Sequence, residues 1–351
     1  MKRKWIMGLM ASILLLSPTI GKESTAQAKE VSTFYKTNPV IVKVIAGTSM
    51  YKDVEFKKKV SFQKKGTYLH VKRIVSSSKG TPRLQLTNGN YFTAHKHFVV
   101  KTKGYQNPKA YYQVQYKQIK PTGKVGYNLS RGYEGIKTWK VMNKLGIIGP
   151  NGYAKYNNAT YNAVRNFQAK NHLPVTGNVD IKTWKKLGFS EASWYSIDQY
   201  IAPLKAFAWD GRKEHIEAMI TQSYKYLGKP YIVGASSSPS YGLDCSGLVT
   251  QGLYAGGINP VPVSSIQHAH PGNEWNSRKL FASSKFKKVS YSKRQRGDLI
   301  FYYEPGTHTI WHVAIYLGDN KVIESWPQKV MISPVVNAHC NIIAGVRRPF
   351  V

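Results

Sequence analysis

The chain has 351 residues, 42% of them hydrophobic, with 51 basic against 17 acidic side chains and a formal net charge of +34. Two cysteines exclude a disulfide framework, so the fold rests on its core, and the length suits about two or three domains. So large a positive field disfavours cationic partners and attracts anionic polymers, less strongly as salt rises.

Residues 1–28 read as a secretory signal peptide. Lys2, Arg3 and Lys4 form a basic start, the stretch from Trp5 to Ile20 is mostly apolar, and Ala26, Gln27 and Ala28 supply a small-residue cleavage site. The apolar stretch is short for a membrane span and is broken by Ser12, Ser17 and Pro18. No later segment is apolar enough to span, so the expectation is a secreted protein with no membrane attachment after cleavage. Outside the cell a basic protein rarely meets nucleic acid. The expected partners are peptidoglycan and the anionic polymers of a Gram-positive wall, such as teichoic acids.

Residues 30–125 hold 19 basic and 3 acidic side chains. Short alternating runs recur here, at Val40–Ile45, Thr67–Lys72 and Arg83–Leu86, separated by turn residues such as Asn88, Gly89 and Asn90. Period-two alternation between turns predicts a small antiparallel all-β module over 30–103. The run "TNGNYFTAHKHFV" resembles the SH3-like surface-layer modules of Gram-positive surface proteins, which implies wall attachment. A Tyr/Lys-rich linker is expected over 104–132.

From 133 to 189 the period changes. Ile136, Trp139, Met142 and Leu145 recur at helical spacing, as do Val164 and Phe167 behind the capping candidates Asn157, Asn158 and Thr160. Asp180 opens a third short helix holding Ile181, Trp184 and Leu187. The strings "AVRNFQ", "LPVTGNVD" and "TWKKLG", in that order, resemble the peptidoglycan-binding three-helix module. The matching apolar residues are core and mark the fold, not the glycan contacts.

Residues 209–351 are expected to form a third, α+β domain. "KEHIEAMITQSYKYLGKP" predicts a helix with Ile216, Met219, Ile220 and Leu227 on one side, ending at Gly228 and Pro230. "CSGLVTQGLYAGG" predicts a buried helix stopped by Gly256 and Gly257, and strands follow at Leu299–Tyr303, His312–Leu317 and Val322–Trp326.

Cys245 therefore stands at the first turn of a buried helix, where unpaired N–H groups and the helix dipole favour a thiolate and lower its pKa. A nucleophilic thiol needs a base, and His312, opening a strand, is the best placed. A third polar group should hold the imidazole tautomer. Glu324 lies on the next strand. A three-residue loop pairs Ala314 with Glu324 and puts His312 and Glu324 on one face, on a diagonal of about 7–8 Å. A two-residue loop at Asp319 and Asn320 puts them on opposite faces. Cys340 reads as a buried structural residue, and a Cys245–Cys340 disulfide is not expected because it blocks the nucleophile. No HExxH spacing marks a metal site, and His268 with His270 alone make none. No metal or cofactor is expected.

"YIVGASSSPSYGLDCSGLV", "RGDLIFYY" and "HVAIYLGDNKVIES" resemble the NlpC/P60 family of papain-like cysteine peptidases over roughly residues 213–350. The resemblance implies cleavage of peptidoglycan stem peptides, usually between D-γ-glutamate and the following diamino acid. It implies Cys245 as nucleophile and His312 as base. It also implies Tyr231 at the oxyanion pocket or a substrate subsite, and Asp244 and Ser246 shaping the groove. The family's third catalytic member is most often His, sometimes Asn or Gln, and Glu324 stands there instead. The whole chain thus reads as a multidomain, monomeric wall hydrolase. A catalytically dead wall-binding protein, and an amidase or transferase on the same fold, remain as alternatives.

Overall fold

The computed structural model describes residues 32–121, 126–148, 153–261, 276–326, 328–338 and 340–351. The signal segment, His268 and His270 lie outside the described residues.

The N-terminal module is built from β1 (Ile41–Val44), β2 (Thr48–Tyr51), β3 (Lys59–Gln63), β4 (Tyr68–Ser76), β5 (Pro82–Leu86), β6 (Tyr91–Thr93) and β7 (Val99–Lys101). They form one antiparallel sheet in the order β3-β2-β6-β5-β4-β1-β7. Alternation explains the core: Val42, Val44, Val71, Leu84, Leu86 and Phe92 are buried while their neighbours along the strands carry the polar and basic side chains. The Tyr/Lys-rich connector that follows lies against the C-terminal domain. Asn107 donates to the Pro349 carbonyl at 2.7 Å, the Tyr112 hydroxyl to that of Pro260 at 2.7 Å, and the Gln115 N–H to that of Gly257 at 2.7 Å.

The middle of the chain is helical: α1 (Ile136–Lys144), α2 (Asn158–Lys170), α3 (Ile181–Lys186) and α4 (Glu191–Ser196). The side chains of Asn157, Asp180 and Ser190 accept backbone N–H groups at the starts of α2, α3 and α4, which satisfies donors a helix leaves orphaned. The short helix α4 brings Trp194 edge-on to Trp184, 5.7 Å between ring centres. The side chain of Lys137, in α1, is fully buried. Its ammonium lies 3.7 Å from Asp198 and stacks over the rings of Tyr127 and Trp194.

The C-terminal domain places helices before strands: α5 (Arg212–Tyr224), α6 (Cys245–Ala255), α7 (Ser277–Ala282), β8 (Lys287–Val289), β9 (Leu299–Tyr303), β10 (Ile310–Gly318), β11 (Lys321–Trp326), β12 (Lys329–Pro334) and β13 (Ile343–Arg348). The sheet is antiparallel in the order β12-β11-β10-β9-β13-β8. Met219 and Ile220 of α5 and Leu248 and Leu253 of α6 pack with Val313 and Ile315 of β10. Every residue of α6 is buried, as its apolar sequence demands. α5 ends earlier than expected. Leu227 lies past its C-cap at Lys225 and is exposed, pairing by its backbone with Val330 instead. The "RGD" segment ahead of β9 ties the domain together. Arg296 grips both oxygens of Glu217 on α5, at 2.7 and 2.9 Å, and the fully buried Asp298 receives Arg348 of β13 at 2.8 and 2.9 Å.

Candidate active site

Asp244 is the N-cap of α6. One carboxylate oxygen accepts the Gly247 N–H at 2.7 Å and the Ser246 hydroxyl at 2.9 Å. The other accepts the Gly234 N–H at 2.9 Å. A single side chain thus starts the helix and fastens the preceding loop to it. Gly247 permits the close approach, since a Cβ there would lie 2.2 Å from the Ala235 carbonyl oxygen. The result fixes Cys245 at the first residue of α6, 6% exposed, on the wall of a groove of about 440 Å³.

The same groove is lined by Tyr231, Asp244, Ser246, Arg278 and Trp311, and by Tyr133 and Glu134 from the helical module. The module is bonded in place there. The Gly135 N–H donates to the Val233 carbonyl at 2.8 Å, and Ile136 shares a small core with Ile232 and Ala235. Glu134 pairs with Lys155 at 3.6 Å.

His312 follows Trp311 on β10 and is fully buried. Its Nε2 meets Glu324 Oε2 at 2.7 Å. Its Nδ1 is buried with no hydrogen-bond partner among the described residues. The next residue, Val313, shares a core cluster with Cys245, and its backbone N–H acts to lower the thiol pKa, so the helix start and the histidine strand are packed together. Trp326 sits edge-on to the imidazole at 4.9 Å and Tyr302 tilts against it at 5.6 Å, which restricts the ring.

The β10–β11 hairpin reaches the three-residue register by another route. Its turn holds two residues, Asp319 and Asn320, both left-handed at φ 48° and 55°, between the pair Gly318 and Lys321. A bulge between Tyr316 and Gly318 then inserts one residue into β10, so Ile315 faces Ile323 and Tyr316 faces Val322. Continuing that register sets Ala314 opposite Glu324, and the carboxylate faces His312.

Glu324 is held from all sides. Oε1 accepts the Ser333 hydroxyl and the Asn337 amide, the latter at 3.3 Å, and the Cys340 thiol points at Oε2 from 3.8 Å. Burial pushes this carboxyl up, but the hydrogen bond and charge of His312 and the bond from Ser333 outweigh it and leave the pKa below the ordinary value. The carboxylate is therefore ionised.

The lowered thiol pKa expected from the helix start is corrected by the structure. Burial and the nearby Asp244 carboxylate push the Cys245 thiol up, and the N–H groups of Val313, Ser246 and Cys245 itself do not offset them. The Tyr231 phenol is likewise pushed up by burial and by the charges of Cys245 and Asp244, so it stays an O–H donor.

Of the six residues singled out in the sequence, Tyr231, Asp244, Cys245 and Ser246 line this groove, while His312, which follows the lining residue Trp311, and Glu324 are buried and outside its lining. Tyr133 and Glu134 were missed, because nothing local in a helical module announces that it walls a groove more than a hundred residues downstream. Cys340 was read only as core, yet it touches Glu324.

Three known families match in chain order, and the N-terminal match does not identify the expected SH3-like surface-layer module. Residues 34–99 match a domain of unknown function, DUF5776, residues 138–187 match the family described as "Putative peptidoglycan binding domain", and residues 228–342 match the NlpC/P60 family. The chain is 30% identical over 137 residues to the peptidoglycan endopeptidase RipA of Mycolicibacterium smegmatis, covering 35% of this chain and 24% of that protein. It is 28% identical over 142 residues to the gamma-D-glutamyl-L-lysine dipeptidyl-peptidase of Bacillus subtilis, covering 40% of this chain and 42% of that one. It therefore spans less than half of either relative. A crystal structure of an NlpC/P60 family protein from Bacillus cereus aligns with 89% of this chain and 63% of its own, at 17% identity and a TM-score of 0.33. The chain therefore carries an NlpC/P60 domain over residues 228–342, behind the peptidoglycan-binding family match at 138–187.

Proposed function

We propose that this chain is a cysteine endopeptidase that cuts peptidoglycan stem peptides at the bond between D-γ-glutamate and the following diamino acid. The observation that carries the reading is the buried Glu324–His312 pair, which leaves Nδ1 of the imidazole unpartnered next to Val313, the strand residue that packs with Cys245. Glu324 accepts the Nε2 proton, so the imidazole keeps a lone pair on Nδ1 for the thiol. Cys245 gives its proton to Nδ1 as its sulfur attacks the amide carbon, and the ionised Glu324 stabilises the imidazolium that forms. The high resting thiol makes this transfer part of the attack. The backbone N–H of Cys245 and the protonated Tyr231 hydroxyl face the developing oxyanion. His312 returns its proton to the leaving amine, then takes one from the water that hydrolyses the thioester.

The charges lining the groove suit this substrate. A γ-linked glutamate keeps its α-carboxylate, which Arg278 can meet, and Glu134 offers a carboxylate to an amine. The dipeptidyl-peptidase relative is named for the same γ-glutamyl–lysine class of bond. Ser246 and Asp244 act by holding the helix start. Secretion rests on the pattern of residues 1–28, and attraction to teichoic acids on the net charge of +34. We read the protein as a monomer.

The test is digestion of purified peptidoglycan by wild type and Cys245→Ala, read by mass spectrometry. Fragments ending in D-γ-glutamate, released only by wild type, support the reading and identify the diamino acid. Sedimentation of both with the wall and cleavage by neither makes the chain a wall-binding protein.

A further inference from the structure

We propose that His312, Glu324 and Cys340 form a binding site for a borderline divalent metal ion of the zinc class, and that filling it switches the peptidase off. The three residues come from β10, β11 and the segment before β13. Their ligand atoms (an imidazole nitrogen, a carboxylate oxygen and a thiol sulfur) all lie within 4.8 Å of one another, and all three side chains are buried. This is a donor set that zinc uses when three protein ligands leave a fourth position open to water.

The geometry is close to what the ion needs. Zinc bonds of about 2.0–2.3 Å put tetrahedral ligands roughly 3.3–3.7 Å apart. Glu324 Oε2 stands 3.8 Å from Cys340 Sγ and 2.7 Å from His312 Nε2 in a cluster that spans up to 4.8 Å, so entry requires that the imidazole and carboxylate part and that the thiol close toward the imidazole. The charges close as well. A dication, the Glu324 carboxylate, the Cys340 thiolate and a neutral imidazole sum to zero, which suits a buried site. One proton leaves, from Cys340.

The consequence for His312 follows from its tautomers. With Nε2 bound to metal, the neutral imidazole carries its proton on Nδ1. The lone pair that is to receive the Cys245 proton is then gone. The inhibition rests on the peptidase reading; the binding does not.

The experiment uses the full chain as Cys245→Ala, so that Cys340 is the sole thiol, titrated with Co²⁺ as a spectroscopic stand-in. The expected result is a thiolate-to-cobalt charge-transfer band saturating at one ion per chain, with zinc displacing the cobalt. Cys245→Ala/Cys340→Ala should lose the band and bind more weakly by more than the roughly 10–100-fold that losing an outer hydrogen-bond partner costs. Thermal melts of both variants establish that they are folded. A folded Cys245→Ala chain without the band overturns the proposal. So does a band that persists without Cys340, or binding that shows no thiolate signal, since surface histidines then hold the ion. In a separate arm, zinc should inhibit wild-type cleavage, and a wild type that never cleaves leaves the cobalt result to decide the site alone.

Discussion

Glu324 Oε2 meets His312 Nε2 at 2.7 Å across a hairpin whose two-residue turn, taken alone, puts the two side chains on opposite faces of the sheet. The extra residue between Tyr316 and Gly318 restores the face. The pair therefore depends on a backbone irregularity as much as on two side chains.

On the proposed mechanism Glu324 orients the imidazole and stabilises its charged form, and these two effects separate by substitution. Glu324→Gln keeps an acceptor for the Nε2 proton but loses the charge. Glu324→Ala loses both and leaves the Ser333 hydroxyl without its acceptor. Initial rates of peptidoglycan cleavage should fall by about 10²-fold or more in the alanine variant and by distinctly less in the glutamine variant. Equal rates in the two would mean that orientation contributes nothing.

Gly234 lies where the helical module meets the groove, at φ 70°, and a Cβ there would stand 2.9 Å from the Glu134 Cβ and 3.2 Å from the Gly135 nitrogen. Gly234→Ala adds roughly 1–2 kcal/mol of left-handed strain and pushes Glu134 off the groove wall. The expected outcome is a higher KM on stem peptides, larger than the change in kcat, together with a lower melting temperature. An unchanged KM would remove the module from the groove's function.

Asp298 is fully buried and takes both hydrogen bonds from Arg348, fastening the start of β9 to β13. Asp298→Ala leaves a guanidinium facing a buried gap and should cost about 3–5 kcal/mol, measured by denaturant titration. Replacing both partners with apolar residues of similar volume should recover much of that loss.

The buried Lys137–Asp198 pair predicts a pH effect. Burial lowers the Lys137 pKa to about 8 and raises that of Asp198 to about 6, each against the pull of its partner. A raised acid pKa contributes stability that is present below the ordinary value of 3.8 and is lost as pH climbs through about 6. Relative to Asp198→Asn, wild type should therefore lose roughly 2 kcal/mol between pH 4 and pH 7, in melts recorded across that range. A flat difference would show that Asp198 is not buried as a carboxylate.

Much of the fold was legible because its signals are local. Alternation at Val40–Ile45 marks β1, Asp180 marks the start of α3, and Gly256 marks the end of α6. Cys245 and His312 were legible through their positions at a helix start and in a strand. What stayed hidden depends on contacts between distant segments. The bulge beside Leu317 has no sequence signature of its own. Lys137 looks like a solvated helix residue until Tyr127, Trp194 and Asp198 close over it. The direction of the Cys245 shift was misread because a helix terminus is a local feature, whereas burial is set by β10 and the groove around it.

The shared wall between the helical module and the groove has a mechanical meaning. Glu134 and Cys245 line one cleft, and the Gly135–Val233 bond and the Ile136–Ile232 contact fix their separation. A module so fastened cannot swing freely from the groove. On the proposed function, reach is set by construction: only stems at one offset from the gripped strand would come under the thiol, and the spacing of cuts would be a property of the protein as well as of the wall.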